Sequence, residues 1–440
     1  MPQRPLPCIS LLVAFAAGCF GTYDALPVLL CGNGQIDDGE QCDDGNDVEA
    51  DGCELDCTYS GAVMWSQSYD EGKGASEYLS HVAVDSTGHI YAAGYPYDRD
   101  DYKWLQRYSP SGELLWTYEL PLDSTFTGVR GLAVDSADRA VVVGFRDSDV
   151  LRYPFAINVT PSGAPGWTLM PQDQETAGIR LNGIAAHASK LYAPSIVWGG
   201  EDGTVELLQV VVLSEDGSVE NTFIHDIKAP DGTVTIDIPD SIAVASDGTI
   251  VVAGSHRPAP LRNIAFATAF DPDGAVRWEQ QHSTPYGAAW FNEVAIDSKG
   301  DVVVAGLAHD GLLHAGAESN AELQNNNILV LKYDAAGTLQ WKFSLDGGIA
   351  ENDWADGLTI DSQDHIIVAG VLRVPNYLGE TWVRKLDGHG TPLWTRTLEL
   401  FSWDGAMAVT HDASDHIIVA GYYYHSTDEK TNGMLVKFTP

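Results

Sequence analysis

Positive charge is scarce in this chain: 24 Lys and Arg stand against 62 Asp and Glu, a formal net charge of −38. Nucleic acid and anionic lipid would both be repelled, so neither is expected as a partner. Many of the acids fall in turns, which reads as a solvated surface. Cysteine stops at Cys57, which removes thiol catalysis from the 383 residues that follow (440 less 57). No apolar run reaches the roughly 20 residues needed to cross a bilayer. There is no HExxH, no glycine-rich phosphate loop and no nucleophile elbow. His187, His225, His256, His282, His309 and His314 are scattered without metal-like spacing and read as surface or core histidines. Tyr422, Tyr423, Tyr424 and His425 read as a strand running into its loop.

The first residues have a different character. Arg4 precedes an apolar run from Ile9 to Gly18, interrupted only by Ser10, and small residues lead to Cys19. The run is too short to span a membrane and has the shape of a secretory signal. Ala16, Ala17, Gly18 and Cys19 resemble the lipobox of bacterial lipoproteins, with Ala16 where leucine is usual. That resemblance implies removal of residues 1–18, a lipid on Cys19, a linker over 19–30, and residence at the outer membrane or cell surface. The alternative is an ordinary signal peptide cut nearby and a secreted protein.

Residues 31–57 read CGNGQIDDGEQCDDGNDVEADGCELDC, with four cysteines, ten acids and no Lys or Arg. So little apolar surface cannot support a core. In an exported chain Cys31, Cys42, Cys53 and Cys57 are therefore expected to form two disulfides, in any of three pairings. The elements CGNG, GEQCDDGN, DGC and the closing Cys resemble the cysteine-rich repeat of surface proteins of myxobacteria and their relatives. Asp43, Asp44, Asn46, Asp47 and Asp51 have the oxygens a calcium ion requires. The same residues also make turns without any ion. No other cofactor is expected.

The remainder, 58–440, repeats two phrases. The first is HVAVDSTGHIYAAGY (His81 to Tyr95), and it returns around Gly144, Gly254, Gly306, Gly370 and Gly421, with Ser195 replacing the final glycine in one copy. The second is LQRYSPSGELLWTYEL (Leu105 to Leu120), with a glycine at the turn (Gly112, Gly163, Gly217, Gly274, Gly337, Gly390) and usually a tryptophan four residues on. Each phrase alternates apolar and polar residues around turn chemistry, so each predicts two strands and a hairpin. Seven such units without helices between them predict an all-β, seven-bladed β-propeller of four-stranded antiparallel blades.

The last unit stops at MLVKFTP, one strand short, while YSGAVMWSQSY (Tyr59 to Tyr69) stands alone at the other end. Joined, FTP and SGAVMW reproduce VTPSGAPGW of residues 159–167. The N-terminal strand is therefore expected to complete the last blade and close the ring. In this scheme the strands equivalent to the one holding Val82 line the channel. Trp65, Trp116, Trp167, Trp278, Trp341 and Trp394 recur once per unit and read as packing between blades. The two phrases resemble SBBP repeats of bacterial surface proteins and, more loosely, NHL repeats. Such a propeller implies a fold and not an activity.

One constellation suggests a site. WFNEV, WADGL and WDGAM precede inner strands in three successive units and place Trp290 with Asn292, Trp354 with Asp356, and Trp403 with Asp404; Asp240 holds a similar place one unit earlier. Aromatic faces beside carboxylates at a channel mouth can hold a sugar or a cation. They can equally cap the blade cores and turns. The sequence thus favours an exported, lipid-anchored, monomeric propeller that binds a surface protein or carbohydrate, and that meets the membrane only through its lipid. The alternative is an exported lyase, hydrolase or quinoprotein-like enzyme with its site at the same mouth. A buried acid and base facing each other across the channel would favour the enzyme.

Overall fold

The computed structural model describes residues 34–36, 41–43, 45, 53 and 57 and, with breaks in connections between strands, 59–440. The chain forms seven antiparallel blades. Strand β1 (Val63–Tyr69) comes first and belongs to the last of them. Blade 1 holds β2 (Glu77–Val84), β3 (Ile90–Pro96), β4 (Trp104–Tyr108) and β5 (Leu114–Glu119); blade 2 holds β6 (Thr127–Val134), β7 (Ala140–Ser148), β8 (Leu151–Val159) and β9 (Pro165–Leu169). In blade 3 the inner strand is broken into β10 (Arg180–Leu181) and β11 (Ala185–His187), followed by β12 (Lys190–Gly199), β13 (Val205–Ser214) and β14 (Val219–His225). Blade 4 runs from β15 (Ile236–Val244) through β16 (Ile250–Ala259) and β17 (Arg262–Phe270) to β18 (Val276–His282). Blade 5 comprises β19 (Ala289–Ile296), β20 (Val302–His309), β21 (Asn326–Tyr333) and β22 (Leu339–Leu345). Blade 6 comprises β23 (Trp354–Ile360), β24 (Ile366–Val374), β25 (Leu378–Leu386) and β26 (Pro392–Leu398). Blade 7 has β27 (Asp404–His411), β28 (Ile417–His425) and β29 (Lys430–Phe438), with β1 outermost.

The ring closes as the repeats require. β1 pairs antiparallel with β29, Val63 opposite Phe438 and Tyr69 opposite Gly433. Thr439 N–H donates to Ala62 O at 2.9 Å, the same bond that Thr160 N–H makes to Ala164 O within the continuous hairpin of blade 2. Residues 59–62 and 438–440 thus build a hairpin turn from two segments far apart in sequence.

The tryptophans pack between blades. Trp65 lies against Gly112 of the next blade, Trp116 against Gly163, Trp167 against Gly217, Trp278 against Gly337, Trp341 against Gly390 and Trp394 against Gly61; Phe223 fills the place in blade 3 against Gly274. A Cβ at Gly112 would stand 2.9 Å from the indole, so the glycine supplies the seat for the ring as well as its positive φ of 87°. The indole N–H often ties the joint, as from Trp116 to Pro161 O at 3.0 Å.

Two further devices recur at the turn face. Asp138, Asp364 and Asp415 hold the left-handed turn position that Gly88, Gly248 and Gly300 hold elsewhere. Each accepts both the N–H and the O–H of a serine on the preceding blade: Ser86, Ser298 and Ser362. Inside the blades, the Asp ending the inner strand meets a cation on the third strand. The pairs are Asp85 with Arg107 at 2.7 Å, Asp297 with Lys332 at 2.7 Å, Asp361 with Lys385 at 3.0 Å and Asp412 with Lys437 at 2.7 Å. Blade 4 has Ala245 and Ala269 at these two places, so neither charge is buried without its partner.

In the cysteine-rich segment, Cys42 is joined to Cys53, and Cys57 is buried. Cys31 lies outside the described residues, as do Cys19, the signal 1–18 and the linker 19–30.

Candidate functional site

Each inner strand runs along the wall of the central channel. In six of the seven it carries a β-bulge at the same place, with Ser80, Arg130, Asp240, Asn292, Asp356 and Met407 as the unpaired residues. The repeating glycine on the neighbouring strand explains why. A Cβ on Gly254 would lie 2.1 Å from Ile238 O, on Gly306 2.1 Å from Trp290 O, on Gly370 2.1 Å from Trp354 O and on Gly421 2.0 Å from Gly405 O. The carbonyl of the bulged strand occupies the volume a side chain would need, so only glycine admits the bulge. In blade 3 the glycine is Ser195, and there the inner strand is interrupted instead, with Asn182 in the interruption.

A bulge re-aims a side chain, and the six bulge residues with the one at the strand break make a ring of seven at one level. Ser80, Arg130, Asn182, Asp240, Asn292, Asp356 and Met407 all line one cavity of ≈ 270 Å³, together with His81, Tyr95 and Glu293. The residue after each bulge position forms a second ring below, around a cavity of ≈ 150 Å³: His81, Gly131, Gly183, Ser241, Glu293, Gly357 and Ala408. Here the inner strands nearly touch. A Cβ on Gly131 would meet Gly183 C at 2.9 Å, and one on Gly357 would meet Val409 N at 2.8 Å. The small residues let the channel narrow, which gives the upper ring a floor and makes it a cup.

The polar groups of the cup are held across blade boundaries. Asn182 donates from Nδ2 to Pro239 O at 2.8 Å, the residue before Asp240. Asn292 repeats the contact, to Ala355 O at 3.0 Å, and also reaches Asp356 Oδ1 at 2.9 Å. Ser241 Oγ donates to Glu293 Oε2 at 2.7 Å. Ser80 Oγ lies 2.8 Å from His81 Nδ1. Each carboxyl keeps some solvent contact through the mouth, but the blades surround it and burial dominates its titration. Asp240 is pushed up to about 7, with Asp356 adding to the rise and Arg130 opposing it. Burial pushes Glu293 up to about 8 against the hydrogen bond from Ser241. Asp356 rises to about 7 by burial, against hydrogen bonds from Asn292 and Trp354. Burial, then the charge of Arg130, lowers His81 to about 4, so its imidazole is neutral near pH 7. The cup therefore holds three carboxyls that retain protons, one neutral histidine and one guanidinium.

Of the residues singled out by sequence, Asn292 and Asp356 line the cup, and Asp240 joins them. They lie in the inner strands themselves and not in lead-in loops, because these strands extend past the repeated phrase by the length of the bulge. Trp354 is half-buried on β23, two residues before Asp356, and opposes the rise of its pKa. Trp290 is half-buried on β19, two residues above Asn292. Trp403 is 39% exposed and shares Arg373 with Trp354, the guanidinium lying 5.4 and 5.5 Å from the two rings. Asp404 is buried and accepts Thr381 N–H at 2.6 Å, outside the cup. The bulge of blade 7 falls at Met407, three residues later, so WDGAM and WADGL are not aligned position for position. Ser80, His81, Arg130, Asn182 and Glu293 were not singled out by sequence reasoning. Their signal is position: each stands at, or one before, the first residue of a repeated phrase.

Asp43 Oδ1 accepts the N–H groups of Gly34 and Gly45, both at 2.8 Å, as a turn cap does. Asp44, Asn46, Asp47 and Asp51 lie outside the described residues. Among the histidines, His225 pairs with Glu279 at 2.7 Å, while His256 and His309 are buried.

Fold and site together define a class: a seven-bladed β-propeller with a polar cup at one end of its channel. No protein-family model and no curated protein matches the chain. Solved structures do share the fold. A polysaccharide lyase of the PL25 ulvan lyase family, bound to -[GlcA(1-4)Rha3S]-, aligns with a TM-score of 0.54 at 9% identity over 83% of this chain and 95% of its own. The polysaccharide lyase Uly1 gives 0.52 at 12% identity over 85% and 94%. A europium-containing methanol dehydrogenase gives 0.46 at 11% identity over 86% and 93%. At such identities the likeness is one of fold alone.

Proposed function

We propose that this protein is an exported propeller, tethered to a membrane by lipid on Cys19, that binds a small polar ligand in the cup at its channel mouth. The observation that carries the reading is the set of seven channel residues delivered to one level by six bulges and one strand break. The outer joints between blades are made by the tryptophans and glycines, and the inner ones, from Asn182, Asn292 and Ser241, leave the carboxyls and Arg130 of the ring facing the cavity. Three enclosed carboxyls with raised pKa values are groups held in an unfavourable setting, a pattern concentrated at functional sites.

A second reading, an enzyme acting by proton transfer, is favoured by one observation. In a ring of seven, blade 1 lies opposite the boundary of blades 4 and 5, so neutral His81 stands on the wall across the channel from Asp240 and Glu293, acids with raised pKa values. A base opposite an acid is the arrangement general acid–base catalysis uses.

A glycan and small-molecule screen on the full-length protein, repeated with Asp240→Asn and Asp356→Asn, tests the first reading. Binding lost in both variants is expected. Binding that survives both substitutions would place the site elsewhere. Chemical conversion of the bound molecule, abolished in His81→Gln, would decide for the enzyme.

A further inference from the structure

The charges of the cup are not spread evenly around it. Arg130 stands on blade 2, and Asp240, Glu293 and Asp356 on blades 4, 5 and 6. The point opposite blade 2 in a seven-membered ring lies between blades 5 and 6. The Arg130 guanidinium lies 5.4 Å from the Phe145 ring on the wall of blade 2, within reach of the charge of Asp240, while Glu293 and Asp356 stand on the wall across the cavity. The amide nitrogens of Asn182 and Asn292 are already donated to Pro239 O and Ala355 O, so the charged groups are left to meet what enters. Asp240 accepts no hydrogen bond from a described residue in this arrangement.

From this segregation we infer that the cup receives a small zwitterion, a molecule with an ammonium group at one end and a carboxylate at the other, as in an amino acid. The inference rests on the cup being a ligand site. An ammonium group directed at Glu293 and Asp356, with Asp240 beside them, gains charge-assisted hydrogen bonds from three carboxylates once they ionise. A carboxylate at the other end meets Arg130, whose planar guanidinium suits it. A singly charged ligand would satisfy one wall and be repelled by the other. A neutral sugar would leave Arg130, and at pH 8 the carboxyls that have ionised, without a counter-charge in an enclosed space, where an unpaired charge is costly. Size is close: ≈ 270 Å³ lies just under the usual range of about 300–1,000 Å³ for small-molecule pockets. Tyr95 and Met407 offer apolar contact to the part between the charges.

The test is calorimetric titration of the full-length protein near pH 8 with four-carbon probes matched in shape and differing in charge. These are γ-aminobutyrate, butylamine and butyrate, with L-alanine for a shorter charge separation and L-rhamnose as the neutral control. One or both aminocarboxylates should bind at least about tenfold more tightly than every single-charge or neutral probe, a difference of about 1.4 kcal/mol. Arg130→Met should then erase the preference over butylamine and Arg130→Lys should restore part of it, while Glu293→Gln with Asp356→Asn should erase the preference over butyrate. Equal or tighter binding of butylamine, butyrate or rhamnose, lost on changing the ring, overturns the zwitterion and leaves the cup standing as a site. Absence of binding by both aminocarboxylates also overturns it. Aminocarboxylate binding indifferent to all of these substitutions, in variants whose thermal unfolding matches the parent, overturns the cup itself.

Discussion

Asp240, Glu293 and Asp356 hold protons at a pH where free carboxyls have lost them, and this sets a sign for stability. A carboxyl whose folded pKa is raised binds a proton in the folded chain that the unfolded chain has released. Stability contributed by such a group is therefore fully present below about pH 4 and declines as pH rises through the folded values near 7 and 8. Asp85, Asp361 and Asp412 have depressed pKa values and act in the opposite direction. Their partners oppose a burial that alone would raise them, and their contribution is lost as pH falls below the ordinary carboxylate range. Asp356→Asn keeps the shape and removes one raised group, so urea unfolding should show it more stable than the parent at pH 8.5, by about 0.5–2 kcal/mol, and level with it near pH 4.5. A gain of the same size at both pH values would mean that protonation is not its source. These residues were only partly legible. Asp356 and Asn292 were found because a tryptophan drew attention to them, whereas Arg130 and His81 carry no local motif. Their meeting depends on bulges whose positions become evident once each repeated glycine is understood as making room for a carbonyl.

Strands were legible in outline because hairpin glycines and period-two alternation mark them in every repeat, and the broken halves of one hairpin could be matched across the chain. What the pattern does not disclose is irregularity: the bulges in β2, β6, β15, β19, β23 and β27, and the break between β10 and β11. An extra residue in one strand leaves the alternation on either side intact. The closing strand β1 is the element whose removal tests the architecture. It covers the edge of β29, and its Trp65 sits on Gly112 of blade 1, while Gly61 just before it seats Trp394 of blade 6. Three blades therefore lose a contact if it goes. Removing residues 1–58 should leave the unfolding temperature almost unchanged. Removing 1–74 should lower it markedly and promote association through the uncovered edge, read by calorimetry and light scattering. Equal melting of the two truncated chains would show that β1 is dispensable to the ring.

At the scale of the molecule, the two ends of the propeller are built differently. Inner strands run from the cup toward the turn face, where the aspartate–serine contacts between blades lie, and the outer strands run back. Because β1 is an outer strand, the chain enters the ring at the turn face, at Tyr59 and Ser60, beside the chain terminus at Pro440. The cup, bordered by Tyr95 near the far end of β3, opens on the opposite face. A tether running from Cys19 through the cysteine-rich segment would therefore hold the turn face toward the membrane and leave the cup open to the medium. Net charge acts the same way, since a chain of −38 is pushed off an anionic bilayer and does not lie flat on it. Two results should follow in cells that export the protein. Cys19→Ser should move it from the membrane fraction to the medium, because several acyl chains on one cysteine, at roughly 0.8 kcal/mol per buried methylene, are the hold the reading requires. The released and the anchored forms should bind an aminocarboxylate probe with the same affinity, since the chain enters the ring at the face opposite the cup. Release without the substitution, or failure of labelled fatty acid to enter the parent chain, would remove the anchor. Weaker binding by the anchored form would mean that the cup faces the membrane.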